Sequence, residues 1–96
     1  MVASFHDLAK VELIEAAQYY EGKSPGLGTA FLAEAERAVA FALQHPEASP
    51  QVRGAIRQHL LRRFPYGLLY RVHRDQLRIL AVMNLARRPA YWVGRQ

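Results

Sequence analysis

The sequence predicts an α+β domain: a short N-terminal strand, an antiparallel helical hairpin, then a three- to four-stranded antiparallel sheet packed against the helices. Three observations predict it. Apolar residues recur at spacings of three and four from residue 7 to residue 44, which is the period of a helix with one buried face. The segment KSPGLG (23–28) interrupts that pattern with Pro and Gly, dividing it into two helices joined by a short turn. Beyond Arg53 the period shortens towards two, as strands require.

Residues 2–5 form a short first strand. A helix follows over 7–21, with Leu13, Ala17 and Tyr20 on one face and Ile14 beside them. Asp7 lies in its first turn, where the helix dipole favours an acid, and Gly22 is the expected stop. Tyr19 and Tyr20 are adjacent, so only one can face the core. Tyr20 fits the stripe, which leaves Tyr19 at an edge. The second helix spans Leu27–Gln44. Phe31, Ala35, Ala38 and Ala42 make its stripe, flanked by Leu32, Val39 and Leu43, and the alanines let two helices approach closely. Pro46 ends it, and HPEASPQV (45–52) reads as a loop.

Strands are predicted at 55–63, 68–73 and 77–85, with FPYG (64–67) as a turn. A second turn centred on Arg74-Asp75 would pair His73 with Gln76, Val72 with Leu77 and Arg71 with Arg78. Like charges directly opposite one another are unfavourable. Either both guanidinium groups splay into water or an anion belongs between them.

A chain of 96 residues suits one domain over 1–96. Cysteine is absent, which rules out disulfides, thiolate nucleophiles and cysteine zinc sites and fits a reducing cytosol. No apolar run approaches the roughly 20 residues of a membrane span, so no membrane is expected as partner. The start, MVASFHDLAK, lacks the layout of a secretory signal. The net charge of +5 is unevenly placed. Residues 1–52 hold three basic residues against seven acids, and residues 53–96 hold ten arginines against Asp75 alone. That asymmetry points to an anionic partner for one face, and arginine's planar fork suits carboxylate or phosphate.

No Gly-rich phosphate loop, catalytic triad or carboxylate pair is present, and no cofactor is implied. His6, His45, His59 and His73 lack metal-ligand spacing, so no metal is expected. Tyr70 alternates with Leu68 and Val72, which favours a core position over catalysis. In ARRPAYWVGRQ (86–96), aromatic residues lie among arginines, a composition suited to base stacking or a peptide groove. A tail folded back to cap the core with Trp92 accounts for the same residues.

Taken together, FHDLAKVELIEAAQYYE (5–21), SPGLGTAFLAEAE (24–36), RRFPYGLLYRV (62–72), LRILAVMNLARRPAYW (77–92) and Arg95 resemble toxins of the RelE/ParE superfamily of type II toxin–antitoxin systems, often labelled plasmid stabilisation proteins. The resemblance implies a cytoplasmic bacterial toxin, neutralised by a cognate antitoxin whose acidic and apolar tail wraps it. It also implies one of two targets: DNA gyrase for ParE-like members, or messenger RNA on the ribosome for RelE-like endoribonucleases. RNA cleavage without metal needs a base, an acid and cations at the phosphate. Two positions depart from the nuclease pattern. Gly67 stands where those members tend to carry a basic residue, and Asn84 stands where many carry a histidine. The departures lean the reading towards a ParE-like inhibitor. Arg57, Arg62, Arg63, Arg71, Arg78, Arg87 and Arg88 are the expected anion- or target-binding residues. Which residues would catalyse cleavage stays open, with Arg62, Tyr70, Arg71, Arg88 and Tyr91 as the candidates.

Overall fold

The computed structural model describes residues 1–96. Strand β1 (Val2–Phe5) leads into helix α1 (Asp7–Lys23). The His6 ring caps α1 by accepting from the Leu8 amide at 3.1 Å through Nδ1. The helix passes through Gly22, the expected stop, and ends at Lys23. Pro25 supplies the reason: it forces the residue before it out of the helical region, and Ser24 is extended at φ −161°, ψ 132°.

Helix α2 (Leu27–Gln44) starts at Gly26, whose φ of +86° suits glycine, with no side-chain cap of its own. Glu21 from α1 does that work. Its carboxylate accepts from the Gly26 and Gly28 amides, both at 2.9 Å. Those two bonds hold the Glu21 carboxyl below its usual pKa. Gly28 lets the helices close, because a methyl there would overlap the Ala17 carbonyl.

Four strands follow the helices and pair antiparallel, as expected: β2 (Gln51–Arg53), β3 (Ile56–Leu60), β4 (Tyr66–His73) and β5 (Gln76–Asn84); the short β1 joins them to give the order β1-β5-β4-β3-β2. β1 makes the five-stranded sheet mixed, because it runs parallel to β5 through Val2↔Gln76 to Phe5↔Ile79. β2 begins in the last two residues of the stretch read as a loop and runs on to Arg53. The turn at Gly54, at φ +56°, brings Gln51 opposite Arg57 and adds three residues to the edge. β4 and β5 pair as the turn placement predicts, with His73↔Gln76, Val72↔Leu77 and Arg71↔Arg78. Further along, Leu69↔Ala81 and Tyr70↔Ile79 leave Leu80 as an extra residue, a bulge in β5.

The two helices cover one face of the sheet. Phe31, Ala38 and Ala42 of α2, with Ala9, Ala16 and Ala17 of α1, meet Leu68, Tyr70, Leu77, Ile79 and Val82. The FPY segment plugs one end of this core. Tyr20 lies 4.7 Å from Phe64, and Phe31 lies 5.0 Å from Tyr66, between ring centroids. Tyr20 is half-buried, whereas Tyr19 is 58% exposed at the edge with Lys23 over its ring. Ile14, flanking the predicted stripe, is exposed. The last eleven residues fold across the other face, where Trp92 packs on Leu69 and Ala81.

Candidate functional site

The ten arginines of the second half divide into those engaged by the chain itself and those left open. Arg57 donates to the carbonyls of Glu47 and Ser49, at 3.1 and 2.7 Å, and so pins the loop after α2. Arg78 donates to Ser4 Oγ and the Phe5 carbonyl of β1 and to the Gln96 carbonyl, at 3.2, 3.0 and 3.0 Å. Its guanidinium therefore turns towards β1 and the end of the chain, which relieves the repulsion expected from Arg71 opposite. Arg71 itself makes no hydrogen bond or ion pair, and its Nε is buried without a partner.

Glu12 is the anchor of the C-terminal tail. It accepts from Arg95 through both oxygens, from the Val82 amide at 3.0 Å, and lies 3.7 Å from Arg87. Arg87 also stacks over Tyr91 at 3.9 Å from the ring centroid. The Tyr91 hydroxyl is buried without a hydrogen-bond partner, and burial, with the Glu12 carboxylate nearby, raises its pKa well above the usual phenol value. Tyr70 is fully buried and donates its hydroxyl proton to the Pro46 carbonyl at 3.0 Å.

Two open grooves run along the flanks where helices meet sheet. The first, about 510 Å³, lies between α1 and the outer edge of β5; Glu12, Glu15, Tyr19, Tyr66, Asn84 and Arg87 line it. Burial pushes the Tyr66 phenol up, with Asn84 beside it acting the other way. The second, about 670 Å³, lies between α2 and β3. Arg37, Phe41, His59, Leu60, Arg62 and Arg63 line it, above buried Glu34. The Glu34 carboxylate accepts from the Arg62 and Arg63 amides at 2.8 and 3.1 Å, so it fastens the β3–β4 turn to α2. His59 stacks near Phe41 at 5.2 Å and shares a hydrogen bond with Ser49 Oγ at 3.2 Å; burial lowers its pKa.

Of the seven predicted anion binders, Arg62 and Arg63 share the second groove, while Arg71 lies on the sheet face away from the helices and Arg88 is exposed in the tail. Arg57, Arg78 and Arg87 have internal partners. Gly67 is buried, with the Gln58 side chain lying where a Cβ would project. Three contributors were missed. Glu12 and Glu34 carried a signal, since Glu12 falls at helical spacing from Ala9 and Ala16, and Glu34 from Phe31 and Ala38. Arg37 carried none, as a lone arginine on an acidic helix. No three His, Asp or Glu side chains are grouped so as to hold a metal ion, and no helix is long and apolar enough to cross a membrane.

The fold is similar to that of a chain in the solved structure described as "Chromosomal ParDE TA system from P. aeruginosa". The TM-score is 0.76 at 18% sequence identity, over 88% of this chain and 96% of that one. No family model and no curated protein matches the sequence. At that identity the likeness is one of fold.

Proposed function

We propose that this chain is the toxin of a type II toxin–antitoxin system, acting as a ParE-like inhibitor of DNA gyrase and held silent by a cognate antitoxin. The observation that carries the reading is the likeness in fold to a chain of a ParDE system over nearly the full length of both. The basic second half supports it, since ten arginines against one acid suit a mainly electrostatic partner.

The chemistry of individual residues favours binding over RNA cleavage. A nuclease of this family would want charge at Gly67, where a glycine is packed under Gln58. Asn84 cannot exchange a proton near neutral pH. The Tyr70 hydroxyl is occupied by Pro46, and the raised pKa of Tyr91 makes it a poor proton donor or acceptor at pH 7.

The test is induced expression with and without the short acidic protein expected to be encoded beside it. Growth arrest relieved by that protein, with loss of supercoiling by purified gyrase, is the expected result. Arrest with loss of translated messenger RNA and intact supercoiling would transfer the chain to the RelE-like endoribonucleases. Harmless expression alone would overturn the toxin reading.

A further inference from the structure

Helix α1 carries apolar side chains on both of its faces. Leu13, Ala16 and Ala17 turn into the core, yet Val11 and Ile14, both 47% exposed, turn outward. Leu32 of α2, also exposed, lies beside Ile14. A surface helix ordinarily keeps its outer face polar, and one that is apolar all round is covered on all sides.

Gly28 shapes the surface between these residues. The helices close over it, and the outer seam of the hairpin sinks there into a dimple of about 290 Å³. Buried Ala17 and Gly28 form its floor, and exposed Ile14 and Leu32 form its walls.

Along this seam the sequence of α1 is complementary to itself. Lys10, Ile14, Ala17 and Glu21 recur at spacings of four, three and four, so they make one stripe. Laid antiparallel on a copy of itself, the stripe sets Lys10 against Glu21 and Ile14 against Ala17. No two acids then fall opposite one another, since Glu12 faces Tyr19 and Glu15 faces Ala16. Lys10 has no ion pair within its own chain, and the Gly26 and Gly28 amides hold the Glu21 carboxyl ionised. Antiparallel alignment also opposes the two helix dipoles.

We infer that the outer seam of the α1–α2 hairpin is the contact of a symmetric homodimer. Ile14 of each copy seats in the Ala17–Gly28 dimple of the other, and Lys10 pairs with the partner's Glu21. Such a contact uses the same patch twice and closes at two copies. The occupant is a second copy and not an acidic segment or a nucleic acid, because exposed Glu15, Glu21 and Glu36 surround the apolar centre and repel both. The patch is small, so association is weak and depends on concentration. The inference does not rest on the toxin reading.

The full-length protein, purified alone, is taken through sedimentation equilibrium from about 5 to 500 µM. The expected result is a mass that rises from the monomer towards the dimer. Ile14→Glu should weaken dimerisation by roughly tenfold or more. Lys10→Glu, which sets a second acid against Glu21, should weaken it by roughly threefold or more. Arg53→Glu, exposed on β2, should change it by less than about twofold. The chain has no cysteine, so a single one reports position cleanly. Ile14→Cys should cross-link into a dimer with a short bis-maleimide, and Gln51→Cys, on the far edge strand of the sheet, should not. The substituted side chains are all exposed, and circular dichroism establishes that each variant is folded. A monomer across the whole range would overturn the proposal. So would a dimer that Ile14→Glu leaves intact, or one that cross-links as fast through Gln51→Cys. A monomeric chain that binds the acidic protein encoded beside it, with Ile14→Glu weakening that complex, would assign the seam to that protein instead.

Discussion

Glu12 on α1 grips Arg95, 83 residues later, through two hydrogen bonds of 3.0 and 3.1 Å, and the pair is nearly buried. The same two side chains take the backbone groups exposed by the bulge in β5: Arg95 donates to the Leu80 carbonyl and Glu12 accepts from the Val82 amide. The bulge, the helix and the tail are therefore one unit. Removing one partner of a pair this buried leaves an uncompensated charge.

Arg95→Ala should accordingly destabilise the fold by about 2–4 kcal/mol, with Arg87 at 3.7 Å from Glu12 recovering part of the loss. Trp92 is the only tryptophan and packs in the tail's contact with Leu69 and Ala81. Its fluorescence should shift to the red at lower urea than the helical circular dichroism signal falls, since the tail loosens first. Arg95→Lys, which cannot make the two-pronged contact, should lie between wild type and alanine.

Two tyrosine hydroxyls should respond oppositely to removal. Tyr70 donates to Pro46 from a fully buried site, so Tyr70→Phe removes a hydrogen bond to a half-buried carbonyl and should cost about 0.5–1.5 kcal/mol. The Tyr91 hydroxyl is buried beside the Glu12 carboxylate without a well-formed hydrogen bond to it, so Tyr91→Phe should be neutral or stabilising by up to about 1 kcal/mol. Urea midpoints at pH 7 measure both.

Glycine-to-alanine changes should also separate by position. Nothing lies within 4 Å of a Cβ at Gly22, inside α1, so Gly22→Ala should stabilise by about 0.5–1 kcal/mol. At Gly28 the added methyl meets the Ala17 carbonyl, and the helices must part. Gly28→Ala should destabilise by about 1–3 kcal/mol in thermal unfolding.

Acid should weaken the fold in two resolvable stages. Burial lowers the His59 pKa from its ordinary 6.5, and the Gly26 and Gly28 amides lower that of Glu21 from 4.5. Both groups bind fewer protons folded than unfolded. Their contributions are complete above those ordinary values and are lost as pH falls through the folded-state values. The urea midpoint should begin to fall below about pH 6.5 through His59 and fall further below about 4.5 through Glu21. His59→Gln should remove the first stage, and Glu21→Gln should reduce the second.

The local elements were legible because their signals are local. The alanine stripe of α2 needs only a period of 3.6, and Arg71 falls opposite Arg78 once the turn at Arg74-Asp75 is placed. The core position of Tyr70 also followed from its alternation with Leu68 and Val72, whereas the Pro46 partner of its hydroxyl did not. Composition likewise exposed the basic half. It could not say which arginines are open, because the partners of Arg57, Arg78 and Arg95 are carbonyls or acids from other elements.

The α+β order, the two helices, the β4–β5 register and the charge asymmetry were thus determined by the sequence alone, through periodicity, turn chemistry and counting. Only the tertiary structure decided that β1 closes the sheet in parallel with β5 and that Pro50 leads into a fifth strand. It alone set Glu34 under the Arg62–Arg63 turn, 28 residues away, and Glu12 under the tail. Those contacts join residues far apart in the chain, and their energy depends on a geometry that exists only once both elements are packed.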